Sequence, residues 1–213
     1  PEIQRICDEF GILRISDEVL TGFGRLGEWF GAYYFGTRPE FLPFAMGVTS
    51  GYLPLGGVFV SDRVADVLVE KAGEFAHGYT YSGHPAACAV AIANLKILQR
   101  EKLVERVRDD IGPYLQARWA ALGDHPLVGE ARMTGLMGAF ELVKNKEPME
   151  RFDAKQGAGT IFRDAAIRNG ICLRASGDTI ICAPPFTLTH AEADLLVDKA
   201  RLALDETQVL LNP

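Results

Sequence analysis

The amino-acid sequence predicts an α/β protein, and three observations carry this prediction. Short apolar runs end in polar or glycine-rich loops, as buried parallel strands do. Segments with apolar residues at helical spacing lie between these runs. The 213 residues are 48% hydrophobic and 23% charged, which is ordinary for a folded domain and excludes disordered, collagen-like and coiled-coil chains.

The first part of the chain is predicted to alternate helices, strands and glycine-rich loops. An opening helix ends before Gly11, and Ile12–Ser16 is predicted as a buried parallel strand that leads into Asp17 and Glu18. Pro85 is predicted to begin a long helix. The other elements expected here are strands over 41–45 and 57–60 and a helix over 64–71.

The second part of the chain is predicted to be a small α+β domain, because composition changes after Gly123 and strands then alternate with helices. A helix over 101–122 is expected before this boundary. The expected elements of the small domain are a strand over 134–143, a helix over 160–169, strands over 171–174 and 179–182, and a closing helix over 190–204.

Charge, hydropathy and cysteine usage narrow the classes of function. The net charge of −6 argues against nucleic acid or an anionic membrane as the main partner. No apolar run reaches the roughly 18–20 residues of a transmembrane helix. The four cysteines lack metal-ligand spacing, so we expect no metal site, free thiols and a cytoplasmic protein. Because the chain begins with Pro1 inside a helical pattern, we expect a fragment of a longer fold.

Three sites carry side chains suited to ligand binding. Asp17 ends a predicted strand, where a carboxylate faces a ligand crevice or is simply solvated. The loop HGYTYSGHP (77–85) is suited to holding a phosphate or to capping the next helix. Arg174 is either a carboxylate ligand or a surface arginine. The glycine-rich segments 22–27 and 49–57 match no phosphate-binding pattern and are expected to form turns.

Four segments, taken in order, resemble the class III pyridoxal-phosphate aminotransferases, and most closely the ω-amino acid or amine:pyruvate transaminases. They are SDEVLTGFGRLGEWFG (16–31), VTSGYLPLGGV (48–58), HGYTYSGHPAACAVAIANL (77–95) and RASGDTIICAPP (174–185). The resemblance implies fold type I, with a mainly parallel-sheet large domain and a small α+β C-terminal domain. Residues 1–123 would be the C-terminal part of the large, cofactor-binding domain, and 124–213 the small domain. It also implies a homodimer with shared active sites.

The resemblance implies roles for five residues. Asp17 would pair with the pyridine nitrogen of pyridoxal 5′-phosphate (PLP), and Val19 would pack on a face of its ring. Thr80, with Tyr79 beside it, would reach the cofactor phosphate of the neighbouring subunit. Arg174 would bind the carboxylate of a substrate.

The sequence departs from the family pattern in two ways. Met46 stands where the family has the lysine that forms a Schiff base with PLP and moves the substrate proton, and methionine can do neither. None of the lysines (71, 96, 102, 144, 146, 155 and 199) follows a strand end before the glycine-rich turn. The chain also corresponds to about half of a family member, so the Gly-Ser phosphate cup and the second ring-stacking residue would precede Pro1.

The resemblance implies amino-group transfer from an amine or ω-amino acid to pyruvate or a similar keto acid, by a ping-pong mechanism. Without the lysine and the N-terminal half, the chain as it stands is expected to be inactive. Two alternatives remain open. One is a non-catalytic PLP-binding or scaffolding protein of the same fold, and the other is a decarboxylase, racemase or aminomutase on that fold.

Overall fold

A computed structural model describes residues 2–211, which form two compact units that meet at Glu105 and Arg106. The elements of the first unit are α1 (Glu2–Phe10), α2 (Gly31–Tyr34), β1 (Phe41–Phe44), β2 (Gly57–Val60), α3 (Asp62–Val67), α4 (Pro85–Arg100) and, at the boundary, α5 (Leu103–Arg106).

The first unit is built around an antiparallel pair, in which β1 lies beside β2 with Phe41 opposite Val60. The prediction of a buried strand over Ile12–Ser16 is wrong. Only Ile15 pairs with β1, through a single parallel bridge, and the Ile15 side chain is 67% exposed. A strand of a parallel sheet needs neighbours along its edges and layers over both faces. Among residues 2–105, the segment Ile12–Ser16 has β1 as a neighbour on one edge and pairs with it through the single bridge at Ile15.

The second unit is a four-stranded antiparallel sheet packed against helices. Its elements are α6 (Gly112–Ala120), β3 (Val128–Thr134), β4 (Met137–Leu142), α7 (Ala158–Arg168), β5 (Arg174–Ser176), β6 (Thr179–Cys182) and α8 (His190–Leu211), with a π-helical turn over Val107–Ile111 before α6. The strand order is β3-β4-β6-β5, in which every neighbouring pair is antiparallel.

Aromatic side chains form the centre of the second unit's core. Trp119, Phe140 and Phe162 are fully buried, with ring centroids 5.4 Å apart for the first pair and 5.2 Å for the second. The indole Nε1 of Trp119 donates a hydrogen bond of 3.2 Å to the carbonyl of Ala139, so the one polar atom of this ring is satisfied. The α+β architecture expected for the tail is therefore present.

The two units differ from the predicted division at residue 123. The π-helical turn and α6 belong to the second unit, because Val107, Ile111, Leu115 and Trp119 are all buried in its core. The periodicity of these apolar residues predicts a helix, but it does not reveal which core they enter. The assignment of residues 1–123 to a large cofactor-binding domain stays a prediction.

His125 is expected to make the stability of the second unit depend on pH. Its side chain is buried, its Nδ1 accepts the N–H of Leu127 at 3.2 Å, and its Nε2 lies 3.3 Å from Asp205. Burial lowers the pKa of His125 below 6.5, although Asp205 opposes this shift. In the unfolded chain His125 takes up a proton near pH 6.5, whereas in the folded chain it does so only at a lower pH. The free energy of unfolding therefore falls as the pH drops below 6.5 towards the folded-state pKa of His125.

We expect His125→Asn to flatten this pH dependence, because an asparagine oxygen can still accept the N–H of Leu127 but does not titrate. The difference in slope between the two proteins reaches at most about 1.4 kcal/mol per pH unit. Urea unfolding at pH 7.5 and 5.5 measures it. Equal losses of stability in both proteins would show that His125 is not the titrating group.

Within residues 2–211, no helix is long and apolar enough to cross a membrane. All four cysteines are free thiols. In the described part of the chain, no cluster of three or more His, Cys, Asp or Glu side chains is arranged to hold a metal ion.

Candidate functional site

The segment that follows Ile15 carries an exposed Asp17, a buried Glu18 and a half-buried Val19. Backbone bonds of 2.9 Å from Ser16 to Phe41 and from Glu18 to Pro43 tie the segment to β1. Asp17 is exposed, and its Oδ1 accepts the backbone N–H of Val19 at 3.0 Å. Its carboxylate is therefore held locally and is open to a ligand.

Glu18 is buried, with 1% of its surface exposed. Its Oε2 accepts the N–H of Gly31 at 2.8 Å and its Oε1 the N–H of Ala32 at 2.6 Å. The Thr21 hydroxyl also donates to Oε2. The first N–H groups of a helix lack partners within it, so the carboxylate satisfies those of α2. The loop over 19–30 is thereby closed onto the segment that follows Ile15.

The turn after β1 carries Met46 and is fastened to α4. Residues Met46–Val48 form a 3₁₀ turn, and the amide nitrogen of Asn94 donates to the carbonyls of Gly47 and Val48 at 3.0 and 3.1 Å. Thr49 closes the next turn by donating from its hydroxyl to Leu53 at 2.7 Å. The side chain at position 46 is thus carried on a fixed backbone.

Met46 lines an open cleft of about 590 Å³ and is 49% exposed. The lining is apolar apart from backbone and Thr49, and none of the cleft residues is a lysine. No nitrogen at the cleft wall can therefore bond covalently to a carbonyl group. The residues that line this cleft are Ala45, Met46, Thr49, Gly51, Leu53, Pro54, Leu55 and Gly56.

The loop closed by Glu18 packs against the turn that carries Met46. A Cβ at Gly47 would lie 2.9 Å from the carbonyl oxygen of Gly22 and 3.2 Å from the Cβ of Phe23, so no larger residue fits there. The Phe23 ring also meets Phe44 edge-on, with centroids 5.5 Å apart. The structure therefore brings the segments of Asp17 and Met46 together.

Tyr79 and Thr80 lie in an exposed loop of the first unit. The hydrogen bonds of Tyr79 are local, to Ser82, and its ring meets His77 edge-on, with 78% of the side chain exposed. The structure gives these two residues no contact of their own with Asp17 or Met46. Their proposed role towards a cofactor phosphate stays a prediction.

Arg174 lies on the solvent face of the second unit's sheet. The register places Arg132, Ala139, Ile181 and Arg174 in one row across the strands. Arg132 forms ion pairs with Glu130 and Glu141. The Arg174 side chain is exposed and makes no hydrogen bond or ion pair with any other residue between 2 and 211. Its guanidinium is therefore the one in this row left available to a ligand carboxylate.

The Glu141 carboxylate on the same face accepts hydrogen bonds from Arg132 and Thr179. Burial raises its pKa, but hydrogen bonds from Thr179 at 2.6 Å and Arg132 at 2.8 Å outweigh burial and hold the pKa of Glu141 below its ordinary value. Arg132 and Glu141 thus pair with each other, whereas the Arg174 side chain has no carboxylate partner among residues 2–211.

These residues fit PLP in part. The open carboxylate of Asp17 suits a protonated pyridine nitrogen, and Val19, which is half-buried beside it, suits the face of a ring. Covalent attachment does not fit, because the thioether of Met46 occupies the cleft and has no nucleophilic nitrogen.

Two supporting residues do not emerge from the sequence. Glu18 is expected at a strand end, but its burial is not predicted. The signal lies in Gly22 and Gly31, where a Cβ would lie 2.8 Å from the Glu18 carbonyl and 3.1 Å from its carboxylate. Asn94 is predicted only as part of a long helix. No local pattern reveals its contact with a turn 46 residues earlier.

Comparison with known proteins finds aminotransferases. The family model "Aminotransferase class-III" matches residues 1–204. The chain is 52% identical over 207 residues to putrescine–pyruvate aminotransferase of Pseudomonas aeruginosa, covering 97% of this chain and 45% of that protein. It is 41% identical over 210 residues to gamma-aminobutyrate transaminase 1 of Solanum lycopersicum, a mitochondrial protein, covering 97% of this chain and 41% of that one.

Solved structures give the same result. A thermostable (S)-enantioselective omega-transaminase from Thermomicrobium roseum superposes with a TM-score of 0.92 at 44% identity, covering 97% of this chain and 46% of that one. An omega-transaminase mutant from Pseudomonas jessenii gives 0.93 at 35% identity, covering 100% and 48%. The chain therefore spans a little under half the length of the relatives that it matches.

Proposed function

Because the chain belongs to the class III aminotransferase family, we propose that it forms the C-terminal half of a PLP-dependent transaminase. The reaction is amino-group transfer from an amine or ω-amino acid to pyruvate or a similar keto acid, by a ping-pong mechanism. The observation that carries this proposal is the 52% identity to a putrescine–pyruvate aminotransferase along 97% of the chain. The fold similarity to omega-transaminases also supports it.

PLP, when bound, supplies an electron sink for a substrate carbanion. Asp17 would hold the proton on its pyridine nitrogen, and Val19 would pack against the ring. Glu18 would hold the segment that carries Asp17 in place, and the hydrogen bond from Asn94 to Gly47 would hold the turn that carries Met46. Arg174 would bind the carboxylate of the keto acid. Met46 contributes no proton transfer, because its side chain has no ionisable group.

A second function is favoured by Met46 itself. With methionine at the cleft, the chain would hold PLP without a covalent bond and act as a non-catalytic binding protein of the same fold. Turnover separates the two functions: the transaminase requires a nitrogen at position 46 or elsewhere, whereas the binding protein requires only PLP affinity.

The assembly and location of the protein are proposed from the same family. In a homodimer, the exposed loop around Tyr79 and Thr80 would reach the PLP phosphate of the neighbouring subunit. The exposure of Tyr79 (78%) and Tyr81 (83%) supports a contact surface, because large aromatic side chains are usually covered. Four free thiols support a reducing compartment such as the cytoplasm.

The test of function joins this chain to the N-terminal half of the Pseudomonas aeruginosa relative and supplies PLP, putrescine and pyruvate. Alanine formation is measured for the joined protein with the unaltered Met46 and for its Met46→Lys variant. The transaminase proposal requires alanine from the lysine variant. PLP binding without alanine from either form would leave the binding-protein function.

Arg174→Ala is expected to raise KM for pyruvate by about tenfold or more in the joined Met46→Lys protein, because it removes a charge-assisted contact to the keto acid carboxylate. KM for an amine that has no carboxylate, such as 1-phenylethylamine, is expected to stay within about twofold. Arg132→Ala is the matched control, because Arg132 lies in the same row but is already paired. Equal effects on both substrates would argue against a carboxylate-binding role.

A further inference from the structure

We propose that Glu18 is a positioning residue that sets Asp17 and Val19 against the turn carrying residue 46. This inference rests on the proposed PLP site and adds a buried carboxylate behind it. Glu18 touches none of the groups proposed to meet PLP. It acts through the backbone on either side of it and through the loop that it closes.

The burial of Glu18 requires a structural compensation. Removing a carboxylate from water is costly unless donors replace the lost hydration. Two backbone N–H groups and the Thr21 hydroxyl supply these donors. The Ser16 hydroxyl is a fourth donor, 3.4 Å from Oε1 of Glu18. All of these donors are neutral and lie on fixed backbone or short side chains. They define one position for the carboxylate and hence one orientation for residue 18.

Tight packing reinforces this orientation. A Cβ at Gly31 would lie 3.1 Å from Oε2 of Glu18, and a Cβ at Gly22 would lie 2.8 Å from the Glu18 carbonyl. The carbonyl of Glu18 also accepts the N–H of Gly22 at 2.9 Å. The loop is therefore closed around residue 18 from both of its ends. Rotation of Glu18 would move Asp17 and Val19, which flank it in the chain.

The closed loop also reaches the other wall of the site. Gly22 and Phe23 pack on Gly47 with no room for a Cβ, and Gly47 directly follows Met46. Phe23 is itself 5% exposed, so this contact is sealed from water. One buried carboxylate thus fixes the segment that carries Asp17 and, through the loop, the turn with residue 46.

Glu18→Gln in the full 213-residue chain tests this inference. A glutamine has one oxygen and one NH₂ group where the structure presents N–H donors to both carboxylate oxygens, so one donor must lose its acceptor. We expect amide hydrogen exchange at Gly31 and Ala32 to accelerate about tenfold or more. We also expect PLP affinity, measured by absorbance titration with PLP itself, to fall about tenfold.

Three further variants make the result specific. Thr21→Val removes one donor and leaves the carboxylate buried, so it should give the same changes at smaller size. Glu70→Gln, at an exposed glutamate of the first unit, should change neither exchange nor affinity. Leu115→Ala destabilises the core of the second unit and should leave PLP affinity unchanged while the chain is folded.

The outcomes separate this inference from the proposed function. Faster exchange at Gly31 and Ala32 with unchanged PLP affinity would overturn the positioning role, while a loss of affinity in Asp17→Asn would keep the proposed site. Equal losses in Leu115→Ala and Glu18→Gln would also overturn it. No PLP binding by the unaltered chain, or unaltered binding by Asp17→Asn, would refute the proposed site and this inference with it.

Discussion

Met46→Lys is expected to raise the transamination rate of the joined protein by about 10²–10⁴-fold, the contribution typical of a general base alone. A lysine carried on the turn at Met46–Val48 would place its amine at the wall of the cleft. Its nitrogen can condense with the PLP aldehyde, with loss of water, and can accept and return the substrate proton. Alanine production from pyruvate and putrescine measures the change.

Met46→Leu is the matched control for this substitution. It keeps an apolar side chain of similar volume and adds no nitrogen, so it should stay at the basal rate. A rise with leucine as large as that with lysine would show that the methionine merely obstructs the cleft. No rise with lysine, in a protein shown to be folded and to bind PLP, would place the catalytic amine elsewhere.

Asp17→Ala is expected to weaken PLP binding to the chain by roughly 10–150-fold. A hydrogen bond between two charged groups contributes about 1.5–3 kcal/mol, and each 1.4 kcal/mol is tenfold in affinity. The exposed carboxylate of Asp17 is the only part of this residue that changes, and the backbone bonds of Ser16 and Glu18 to β1 remain. Absorbance titration with PLP gives both dissociation constants.

Asp17→Asn isolates the charge from the local turn. Asparagine keeps an oxygen for the N–H of Val19 but carries no charge, so it should lose nearly as much affinity as alanine. Asp66→Ala, at an exposed position of α3, is the control and should bind PLP normally. Wild-type PLP affinity in Asp17→Asn would show that the charge of Asp17 does not contribute to PLP binding.

The sequence predicts elements well where one periodicity is undisturbed. The helices at Glu2–Phe10, Pro85–Arg100 and Ala158–Arg168 all follow from apolar spacing and flanking glycine or proline. Strand β3 is not predicted, although Glu130 and Arg132 alternate with residues that face the core. Its neighbour is predicted to begin at 134, but the turn at Gly135, with φ of 55°, starts β4 at Met137. Strand β5 likewise begins at Arg174 rather than at 171.

The features of the site that the sequence does not predict depend on contacts between residues far apart in the chain. The positions of Asp17 and Met46 follow from motif order, but their link through Gly22, Phe23 and Gly47 depends on how a loop folds back. The pairing of Glu18 with backbone 13 and 14 residues later is equally invisible to local patterns. Composition cannot distinguish a buried carboxylate from a solvated one, because a carboxylate can be buried only where hydrogen-bond donors surround it in the folded chain.

We expect residue 46 to decide whether PLP becomes covalently attached to this chain. Intact mass after borohydride reduction with stoichiometric PLP tests it most directly, in the unaltered chain and in Met46→Lys. We expect the unaltered chain to keep its mass of 23.3 kDa and the variant to gain one pyridoxyl group, which peptide mapping places at residue 46. A single stoichiometric adduct on one of the seven native lysines of the unaltered chain would contradict the claim, as would a variant that gains none.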